Sequence, residues 1–598
     1  MRRLGKLAVV GSGPSGLYLL KHLVDGIDQI SGSLDTMVIF EKSALAGYGM
    51  PYHPETTDRY NRANISSEEL PELPRKFSEW LETRDRDELA SWGIEKESIS
   101  ESEVYCRLAL GEYFHEQFHT LADSLRKAGI DVDIRLSCAV DDIADLPDED
   151  KLRISSGKGG DEDFDTVVIA TGHRWLDDDR PEEGFYSSPW PVSKLFPEEN
   201  RFLNHAIGTL GASLSAFDVI SSLSPRHGDF VRIDGQLSFR SFLGAEKFEL
   251  VMHTSEGWLP HLQWDQVEPF REIYRHVSRE RMLALRGEDG FLRLGTYFDK
   301  VCRPALIHAF SEDDMSALVS QLRNEDFSIK EFVEEMSQRH EYVDSFEGMK
   351  LEFRKAKDSV ENHRPIHWKE TLDDLMYCLN YHAEFLVAED QILFRKTVMP
   401  FLMNVIAAMP LQSAEMLLAL HEAGKVRLVA GKVKIEGKGH ESGTTRITVE
   451  SGDNKQEIEY RTFVDCSGQK AMELGEFPFD ALTDGGAVRE ARAKFLDKKA
   501  SAKVDDDKLL IEDGETMLRT GGIDIDSAFR IVGIDGSSNP RIYDISFPHT
   551  SGVRPYSYGL QACNTTAGIV VRSWIDSVKI QHDADGNLED VSESYASF

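Results

Sequence analysis

Apolar and polar positions near the start of the chain predict a strand, a helix and a second strand in succession. Residues 6–10 form an apolar run, and the segment after them, "SGLYLLKHLV", has Leu17, Leu20 and Val24 at helical spacing. A second apolar run, "TMVIFEK", contains Glu41 where its apolar residues end. These elements predict a βαβ unit with two parallel strands and a crossover helix.

The turn inside this unit, "GSGPSG" at 11–16, has the glycine spacing of a dinucleotide-binding loop. In such a loop the first glycine permits a tight turn, the second lets backbone N–H groups approach a pyrophosphate, and the third lets the helix pack on the strand. Glu41 closes the second strand, where a carboxylate can accept hydrogen bonds from a ribose. The pattern predicts a dinucleotide site built on Gly11, Gly13, Gly16 and Glu41.

The same pattern occurs a second time further along the chain. The segment "HAIGTLGASLSAFDVISSL" is again an apolar strand, a turn at Gly211 and a helix. Two later strands end on a small residue followed by glycine, "FDTVVIATGHRW" at Thr171-Gly172 and "RTFVDCSGQK" at Ser467-Gly468. Two glycine turns, each followed later in the chain by such a strand, predict two nucleotide-binding modules.

The second module departs from the ideal pattern. Ser213 stands where the second glycine is expected, and the following strand, "FELVMHTSEGWLP", has no arginine for a 2′-phosphate. The choice between NADH and NADPH is therefore left open. So are two alternatives, that the module binds NADH or that it has become a substrate-binding or structural domain.

Two modules favour a flavoprotein over a dehydrogenase, since a dehydrogenase needs only one. In a flavoprotein of this kind, one module holds FAD and the other receives NADH or NADPH as co-substrate. Near the end of the chain, a strand "RIYDISF" precedes an amphipathic helix, "LQACNTTAGIVVRSWI", which starts near Gly559. The positive end of that helix could face the flavin pyrimidine ring, which gains negative charge on reduction.

The predicted fold class is α/β, with two Rossmann-like dinucleotide-binding domains, of which the FAD domain is discontinuous and the second carries a mainly helical insertion. Apolar residues at spacings of three and four indicate the helices of that insertion. The predicted boundaries are 1–195 and 471–580 for the two segments of the FAD-binding domain, 196–264 with 426–470 for the second NAD(P)-type or substrate domain, 265–425 for the helical insertion, and 581–598 for an acidic tail.

Composition narrows the range of partners. The 598 residues include 68 Lys and Arg against 104 Asp and Glu, a net charge of −36, which repels nucleic acid and anionic membranes. No apolar run reaches the roughly 18 residues that a membrane span needs. The six cysteines include no close pair that would form a redox dithiol or a zinc knuckle. We expect a cytoplasmic protein with a small-molecule substrate, and leave open whether it forms a homo-oligomer.

One motif suggests a metal site and is set aside. The segment "HEQFH" at 115–119 satisfies the zinc-protease pattern HExxH. However, Phe114, Phe118 and Leu121 mark the apolar stripe of the same helix, and no third ligand follows in the expected context. We predict no metal. No catalytic set such as Ser-His-Asp is evident either, as expected where a flavin carries the chemistry, so the catalytic residues remain unknown.

The block "GYGMPYHPETTDRYNRANISSEELP" at 47–71, followed by "FSEWL", resembles a bacterial FAD/NAD(P)-binding flavoprotein family, the YdhS-like group. Further matches are "VIATGHRW", "GASLSAFDVI" and "YGLQAC", so the resemblance spans nearly the whole chain. It implies a flavoprotein with two dinucleotide domains, related in plan to FAD-dependent amine and amino-acid N-hydroxylating monooxygenases.

The resemblance also implies where the cofactor lies. It places Gly11, Gly13, Gly16 and Glu41 at the ADP half of FAD, Tyr52, Asn64 and Arg107 near the flavin or its diphosphate, Thr171 and Gly172 beneath it, and Gly559 and Leu560 at its pyrimidine edge. The predicted cofactor-binding set is completed by Pro14, Ser15, Lys42, Gly49, Met50, Gly211, Ser213 and Gly552. Two alternatives stay open, that Asn64 only caps a turn and that Tyr52 only packs.

The resulting functional prediction is an FAD-dependent oxidoreductase reduced by NAD(P)H, working as a monooxygenase on a small polar substrate such as an amine or amino acid. The alternatives are a non-oxygenating flavin reductase or dehydrogenase, and an FAD-binding protein with a partner-binding role.

Overall fold

The computed structural model describes residues 3–175, 177–198, 201–338, 345–436, 443–512, 514–579 and 595. The strands are β1 (Gly5–Val10), β2 (Leu34–Phe40), β3 (Asp131–Arg135), β4 (Val140–Leu146), β5 (Lys151–Ser156), β6 (Gly160–Phe164), β7 (Thr166–Ile169), β8 (Phe185–Tyr186), β9 (Ala206–Leu210), β10 (Gly228–Ile233), β11 (Gln236–Ser241), β12 (Glu249–Thr254), β13 (Val426–Ala430), β14 (Lys432–Ile435), β15 (Thr445–Ser451), β16 (Asn454–Tyr460), β17 (Thr462–Asp465), β18 (Glu490–Lys494), β19 (Leu509–Glu512), β20 (Glu515–Ile523), β21 (Arg530–Val532) and β22 (Ser538–Asp544).

The α-helices are α1 (Pro14–Asp25), α2 (Ile27–Ile30), α3 (Phe77–Glu82), α4 (Arg86–Ser91), α5 (Arg107–Lys127), α6 (Leu214–Leu223), α7 (Arg279–Ala284), α8 (Leu294–Tyr297), α9 (Arg303–Glu312), α10 (Ser316–Leu322), α11 (Ile329–Ser337), α12 (Ser345–Glu361), α13 (His367–Asn380), α14 (Ala388–Leu393), α15 (Met399–Ile406), α16 (Leu411–Glu422), α17 (Asp480–Asp484), α18 (Lys498–Ser501), α19 (Phe547–Thr550) and α20 (Leu560–Lys579).

The first large sheet contains strands from both ends of the chain, in the order β21-β22-β7-β1-β2-β3. The central strand β1 pairs in parallel with β2 on one side and with β7 on the other. Leu7, Ala8 and Val9 of β1 are completely buried, because helices cover both faces of a parallel sheet of this kind. The N-terminal and C-terminal parts of the chain therefore build one structural unit.

The second large sheet repeats this arrangement, in the order β13-β12-β9-β17-β8. Its central strand β9 leads into the second glycine turn and pairs in parallel with β12 and β17. Ser467-Gly468 follows the end of β17 after one intervening residue, as Thr171-Gly172 follows the end of β7. The predicted mixed α/β class with a Rossmann-type unit is confirmed.

Each large sheet is accompanied by a smaller antiparallel sheet. The segments 140–164 and 432–460 form the three-stranded sheets β4-β5-β6 and β14-β15-β16. Buried and partly exposed residues alternate along β5, as they do in a sheet with only one covered face. Residues 437–442, within the second of these segments, lie outside the described residues.

The helical region at 265–425 lies between β12 and β13 and divides between two hydrophobic cores. The core of the first sheet includes Phe310 of α9, Leu375 of α13 and Phe401 of α15. The core of the second sheet includes Phe346 of α12 and Leu417 of α16. Helices of the predicted insertion therefore pack into the cores of both sheets, and α16 serves as the crossover helix that leads into β13.

Of the predicted acidic tail at 581–598, only Tyr595 lies within the described residues. Its side chain is buried, and its hydroxyl donates a hydrogen bond to the Ser527 carbonyl at 2.7 Å. At Tyr595 the predicted acidic tail is therefore held by an internal contact, because the buried tyrosine hydroxyl finds an acceptor inside the protein. Among the described residues, none of the helices combines the length and the apolar character that a bilayer crossing requires.

His253 of β12 generates a prediction about pH and stability. The imidazole is buried, its Nε2 is hydrogen-bonded to the Tyr460 hydroxyl at 2.9 Å, and its Nδ1 has no hydrogen-bond partner among the described residues. Burial lowers the pKa of His253 from 6.5 to about 4. Its contribution to stability is therefore present above pH 6.5 and is lost as the pH falls towards 4, because the unfolded chain binds the proton first.

We expect His253→Phe, which keeps an aromatic ring, to reduce the fall in unfolding free energy between these two pH values. Urea denaturation at stepped pH measures that fall. His308→Gln, at an exposed position of α9, is the control and should match the parent chain. An unchanged pH dependence in the His253 variant would contradict the assignment.

Candidate functional site

A cavity of about 340 Å³ opens where the carboxyl ends of β1, β2 and β7 meet the amino end of α20. In open α/β sheets, ligands bind in the crevice at this edge. The predicted residues that line it are Gly11, Gly13, Pro14, Ser15, Glu41, Lys42, Gly49, Met50, Tyr52, Thr171, Gly172, Gly559 and Leu560. Those that do not line it are Gly16, Asn64, Arg107, Gly211, Ser213 and Gly552.

The first glycine turn is shaped so closely that side chains do not fit. Gly11 has φ +108°, and a Cβ added there would lie 2.3 Å from the Ala170 carbonyl oxygen. A Cβ at Gly13 would lie 3.1 Å from the Gly49 Cα. Gly13 is the N-cap of α1 and has no side chain that could bond to the N–H groups of the first turn. Phosphate oxygens can therefore accept hydrogen bonds from these backbone N–H groups. This cradle fits the diphosphate of FAD.

Glu41 lies at the end of β2, where the sequence predicts a ribose contact. One carboxylate oxygen, Oε2, accepts hydrogen bonds from the Ser12 N–H at 3.2 Å and the Ser12 hydroxyl at 2.6 Å. The other, Oε1, accepts from the Ser43 N–H at 2.8 Å. A carboxylate offers about four acceptor positions, so the fixed Glu41 retains capacity for a ribose hydroxyl.

The opposite end of the cavity is formed by the start of α20. Gly559, with φ +88° and no neighbour within 4 Å of an added Cβ, precedes the first helical residue, Leu560. The first turn of α20 contains no acidic side chain, so its positive end is free to stabilise negative charge on a bound ring. The Ser15 hydroxyl donates to the Cys563 sulfur at 3.4 Å and joins α20 to the first glycine turn.

A buried His-Asp pair in the cavity region was not predicted from the sequence. His549, which lines the cavity, contacts the Asp544 Oδ2 through Nδ1 at 2.7 Å. Asp544 also accepts from the Ser546 N–H at 2.8 Å, which fixes its orientation. The His549 Nε2 makes no hydrogen bond within the described residues. The position of Asp544 at the end of β22, a strand of the same sheet, is a signal that could have revealed the pair.

Arg107 does not line this cavity, and its position near the cofactor stays a prediction. Its Nη1 donates to the Asp218 Oδ2 at 2.7 Å, and its Nε donates to the Arg62 carbonyl at 3.0 Å. Burial raises the pKa of Asp218 to about 6, and the Arg107 charge opposes that rise. A buried guanidinium needs such a partner, so Arg107 joins α5 to α6 of the second sheet.

Two of the predicted glycines have packing roles. A Cβ at Gly16 would lie 2.6 Å from the Gly11 carbonyl oxygen, so Gly16 lets α1 approach the end of β1. A Cβ at Gly552 would lie 1.7 Å from the Gly521 carbonyl oxygen. Gly552 therefore permits close contact with β20, and its place in the cofactor-binding set stays a prediction.

Asn64, Gly211 and Ser213 lie in other parts of the molecule. Asn64 is exposed and lines a smaller cavity that adjoins the first one. Gly211 has φ +107°, and its added Cβ would lie 2.8 Å from the Cys466 carbonyl oxygen, as Gly11 approaches Ala170. Ser213 caps α6 without a side-chain hydrogen bond. The second turn is thus built like the first, and its ligand remains a prediction.

The residues of the HExxH motif are engaged in internal contacts. His115 Nδ1 is 2.7 Å from the Ala46 carbonyl oxygen, and the Glu116 carboxylate accepts from the Trp80 indole N–H and from Arg84. Within the described ranges, no group of three or more His, Cys, Asp or Glu side chains is placed to hold a metal ion.

The first turn generates a prediction about cofactor retention. In Gly11→Ala, the new methyl group would collide with the Ala170 carbonyl, so we expect the flavin content of the purified protein to fall at least tenfold. Gly129→Ala is the matched control, because Gly129 also has positive φ, +93°, but has nothing within 4 Å of an added Cβ. Flavin absorbance per mole of folded protein measures the effect.

Gly13→Ala supplies a second variant with a milder contact, and we expect an intermediate loss. Equal flavin content in the Gly11 and Gly129 variants would show that the close approach to Ala170 does not shape the cofactor site.

Comparisons with known proteins agree with this geometry. Residues 8–174 match the FAD-NAD(P)-binding family, and residues 279–406 match the YdhS-like middle domain. The protein YdhS of Escherichia coli (strain K12) is 27% identical over 484 residues, which cover 80% of this chain and 86% of that relative. The predicted cofactors, FAD and NADH or NADPH, are confirmed at the level of cofactor class.

Solved structures with a similar course of the chain include two amino-acid hydroxylases. The ornithine N-hydroxylase of Kutzneria sp. 744 is 14% identical, with a TM-score of 0.44 over 96% of this chain and 99% of that one. The L-lysine 6-monooxygenase from Pseudomonas syringae is 11% identical, with a TM-score of 0.45 over 96% of this chain and 99% of that one. By sequence, this chain is similar to YdhS, and its residues 8–174 and 279–406 match the models of an FAD-NAD(P)-binding domain and a YdhS-like middle domain.

Proposed function

We propose that this chain is an FAD-dependent oxidoreductase that NAD(P)H reduces, and that it works as a monooxygenase on a small polar substrate such as an amine or amino acid. The observation that carries the proposal is the meeting of two cavities. The cavity of about 340 Å³ at the first sheet shares Tyr52, Tyr558, Gly559 and Leu560 with a second cavity of about 100 Å³. The second cavity offers a substrate its own place beside the cofactor.

We assign the two sheets different ligands in this proposal. The sheet centred on β1 holds FAD, and the sheet centred on β9 receives NAD(P)H at the Gly211 turn. The buried Arg107–Asp218 ion pair fixes one unit against the other. The domain division at 1–195, 196–264 with 426–470, 265–425 and 471–580 is part of the same proposal, with α16 assigned to the second unit because it packs there.

The residues of this chain prepare the site for chemistry that FAD supplies when bound, namely hydride acceptance and reaction with oxygen. His549 can hold a proton at Nε2 in the cavity wall, because Asp544 fixes its Nδ1. All six cysteines are free thiols. Burial raises the pKa of the Cys563 thiol, which disfavours the thiolate that disulfide exchange requires.

The test of the proposal begins with the visible spectrum of the purified protein. We expect bound flavin, and loss of its visible absorption when NADH or NADPH is added without oxygen. In air, candidate amines and amino acids should raise NAD(P)H consumption and lower the fraction of electrons released as hydrogen peroxide. Reduction without any oxygenated product would favour a flavin reductase or dehydrogenase. A flavin that neither nicotinamide reduces would favour a binding role.

The second glycine turn generates a separate prediction. In Gly211→Ala, the methyl group meets the Cys466 carbonyl, so we expect flavin content to stay unchanged and the rate of anaerobic reduction by NAD(P)H to fall at least tenfold. Gly235→Ala is the control, because Gly235 lies in the β10–β11 turn with φ +83° and open space around an added Cβ. Equal reduction rates in the two variants would contradict the proposal that the nicotinamide cofactor binds at this turn.

A further inference from the structure

The cavity of about 100 Å³ beside the cofactor cleft is lined in part by polar side chains. Some of their hydrogen-bond donors have no partner among the described residues. Trp264 lines it and is only 8% exposed, and its indole N–H has no hydrogen-bond partner in the part of the chain that the structure describes. A buried donor left without an acceptor destabilises the folded protein. An acceptor on a bound molecule would recover that free energy.

Arg271 supplies further unused donors in the same wall. Its Nε donates to the Asp373 Oδ2 at 2.7 Å, whereas its two terminal amino groups have no hydrogen-bond partner within the described residues. The guanidinium lies over the Tyr556 ring, 5.2 Å from the ring centroid. Among the described residues that line this cavity, Arg271 is the only one with a positively charged side chain.

The carboxylates that line the cavity accept hydrogen bonds from other groups of the protein. Asp373 accepts from Arg271 and, through Oδ1, from the Tyr556 hydroxyl at 3.0 Å. Glu69 accepts from the Ser66 N–H at 2.8 Å, the Ser66 hydroxyl at 2.7 Å and the Gln266 amide at 2.7 Å. These carboxylates keep some acceptor capacity, but the donors without a partner among the described residues, on Trp264 and Arg271, can be satisfied only by a ligand group that accepts hydrogen bonds.

The position of Arg271 relative to the cofactor cleft is fixed by Gln561. This residue is the second of α20, directly after Gly559 and Leu560. Its Oε1 accepts from the Arg271 backbone N–H at 2.9 Å, and its Nε2 donates to the Pro269 carbonyl at 2.8 Å and the Glu69 carbonyl at 3.0 Å. The segment that carries Arg271 is thus tied to the start of α20.

We propose that this cavity binds the carboxylate of a small organic acid, with the terminal amino groups of Arg271 and the indole N–H of Trp264 as its donors. A carboxylate matches both the charge of Arg271 and the paired geometry of its amino groups. The rest of the acid then extends towards the wall shared with the cofactor cleft. The inference rests on the proposed function, because it names the class of substrate for that site.

The experiment titrates the FAD-loaded protein with propionate, propionamide and propylamine, and follows the visible absorption of the flavin. We expect propionate to bind at least tenfold more tightly than the amide or the amine. In Arg271→Gln, the affinity for propionate should fall at least tenfold. In Trp264→Phe, which keeps an aromatic ring and loses only the N–H donor, it should fall about fivefold, as expected for a single hydrogen bond.

The matched control is Arg275→Gln. Arg275 pairs with Asp374, the residue after Asp373, and its side chain is 18% exposed compared with 21% for Arg271, but it does not line the cavity. We expect this variant to bind propionate like the parent chain. If Arg271→Gln does not fold, Arg271→Lys and Trp264→Phe provide the comparison.

Unchanged propionate affinity in the Arg271 and Trp264 variants, or tighter binding of propylamine than of propionate, would overturn the inference. Flavin content and anaerobic reduction by NADH or NADPH are measured on each preparation, so that failure of the proposed function is seen separately. If no flavin is retained, saturation-transfer NMR reports propionate binding directly. Propionate binding that depends on Arg271 would then support the carboxylate site without the proposed function. Absence of such binding would reject the carboxylate site.

Discussion

The closest backbone approach in the cofactor cleft is that of Gly11 to the end of β7, and the rest of the site depends on it. An added Cβ would lie 2.3 Å from the Ala170 carbonyl oxygen, so only glycine permits the turn to lie directly beside this strand end. That contact places the start of α1 against Thr171 and Gly172. The same relation recurs between Gly211 and Cys466, which explains why the two sheets have the same strand order around their central strands.

Buried polar contacts determine how the remaining parts of the chain are attached to this framework. The Arg107–Asp218 pair joins helices beside the two sheets. In the middle region, Tyr377 of α13 donates to the Thr565 hydroxyl at 2.6 Å, and Asn380 accepts from the Tyr556 N–H at 2.7 Å. Removing one partner of such a buried contact leaves an unsatisfied group, so these contacts specify one arrangement of the middle region.

This attachment gives the middle region a role at the site. Because α13 and α15 share the core of the first sheet, Asp373 and Ile406 reach the cavity that adjoins the cofactor cleft. In our proposal, the FAD-NAD(P)-binding domain positions the cofactor, and the segment that matches the YdhS-like middle domain contributes Asp373 and Ile406 to the substrate wall. Changes in the middle domain could then alter substrate preference without disturbing the glycine turns.

Local patterns in the sequence were sufficient to predict the two glycine turns, the buried strands beside them and the position of Glu41. Each depends on a short segment, since a tight turn, an apolar strand and a residue at a strand end are all properties of neighbouring positions. Tertiary structure alone decided the partner of Arg107, the packing of Gly552 against Gly521, and the meeting of Trp264 with Arg271 in one cavity. Those depend on distant segments that come together on folding, where burial forces each charge and donor to find a partner that periodicity does not reveal.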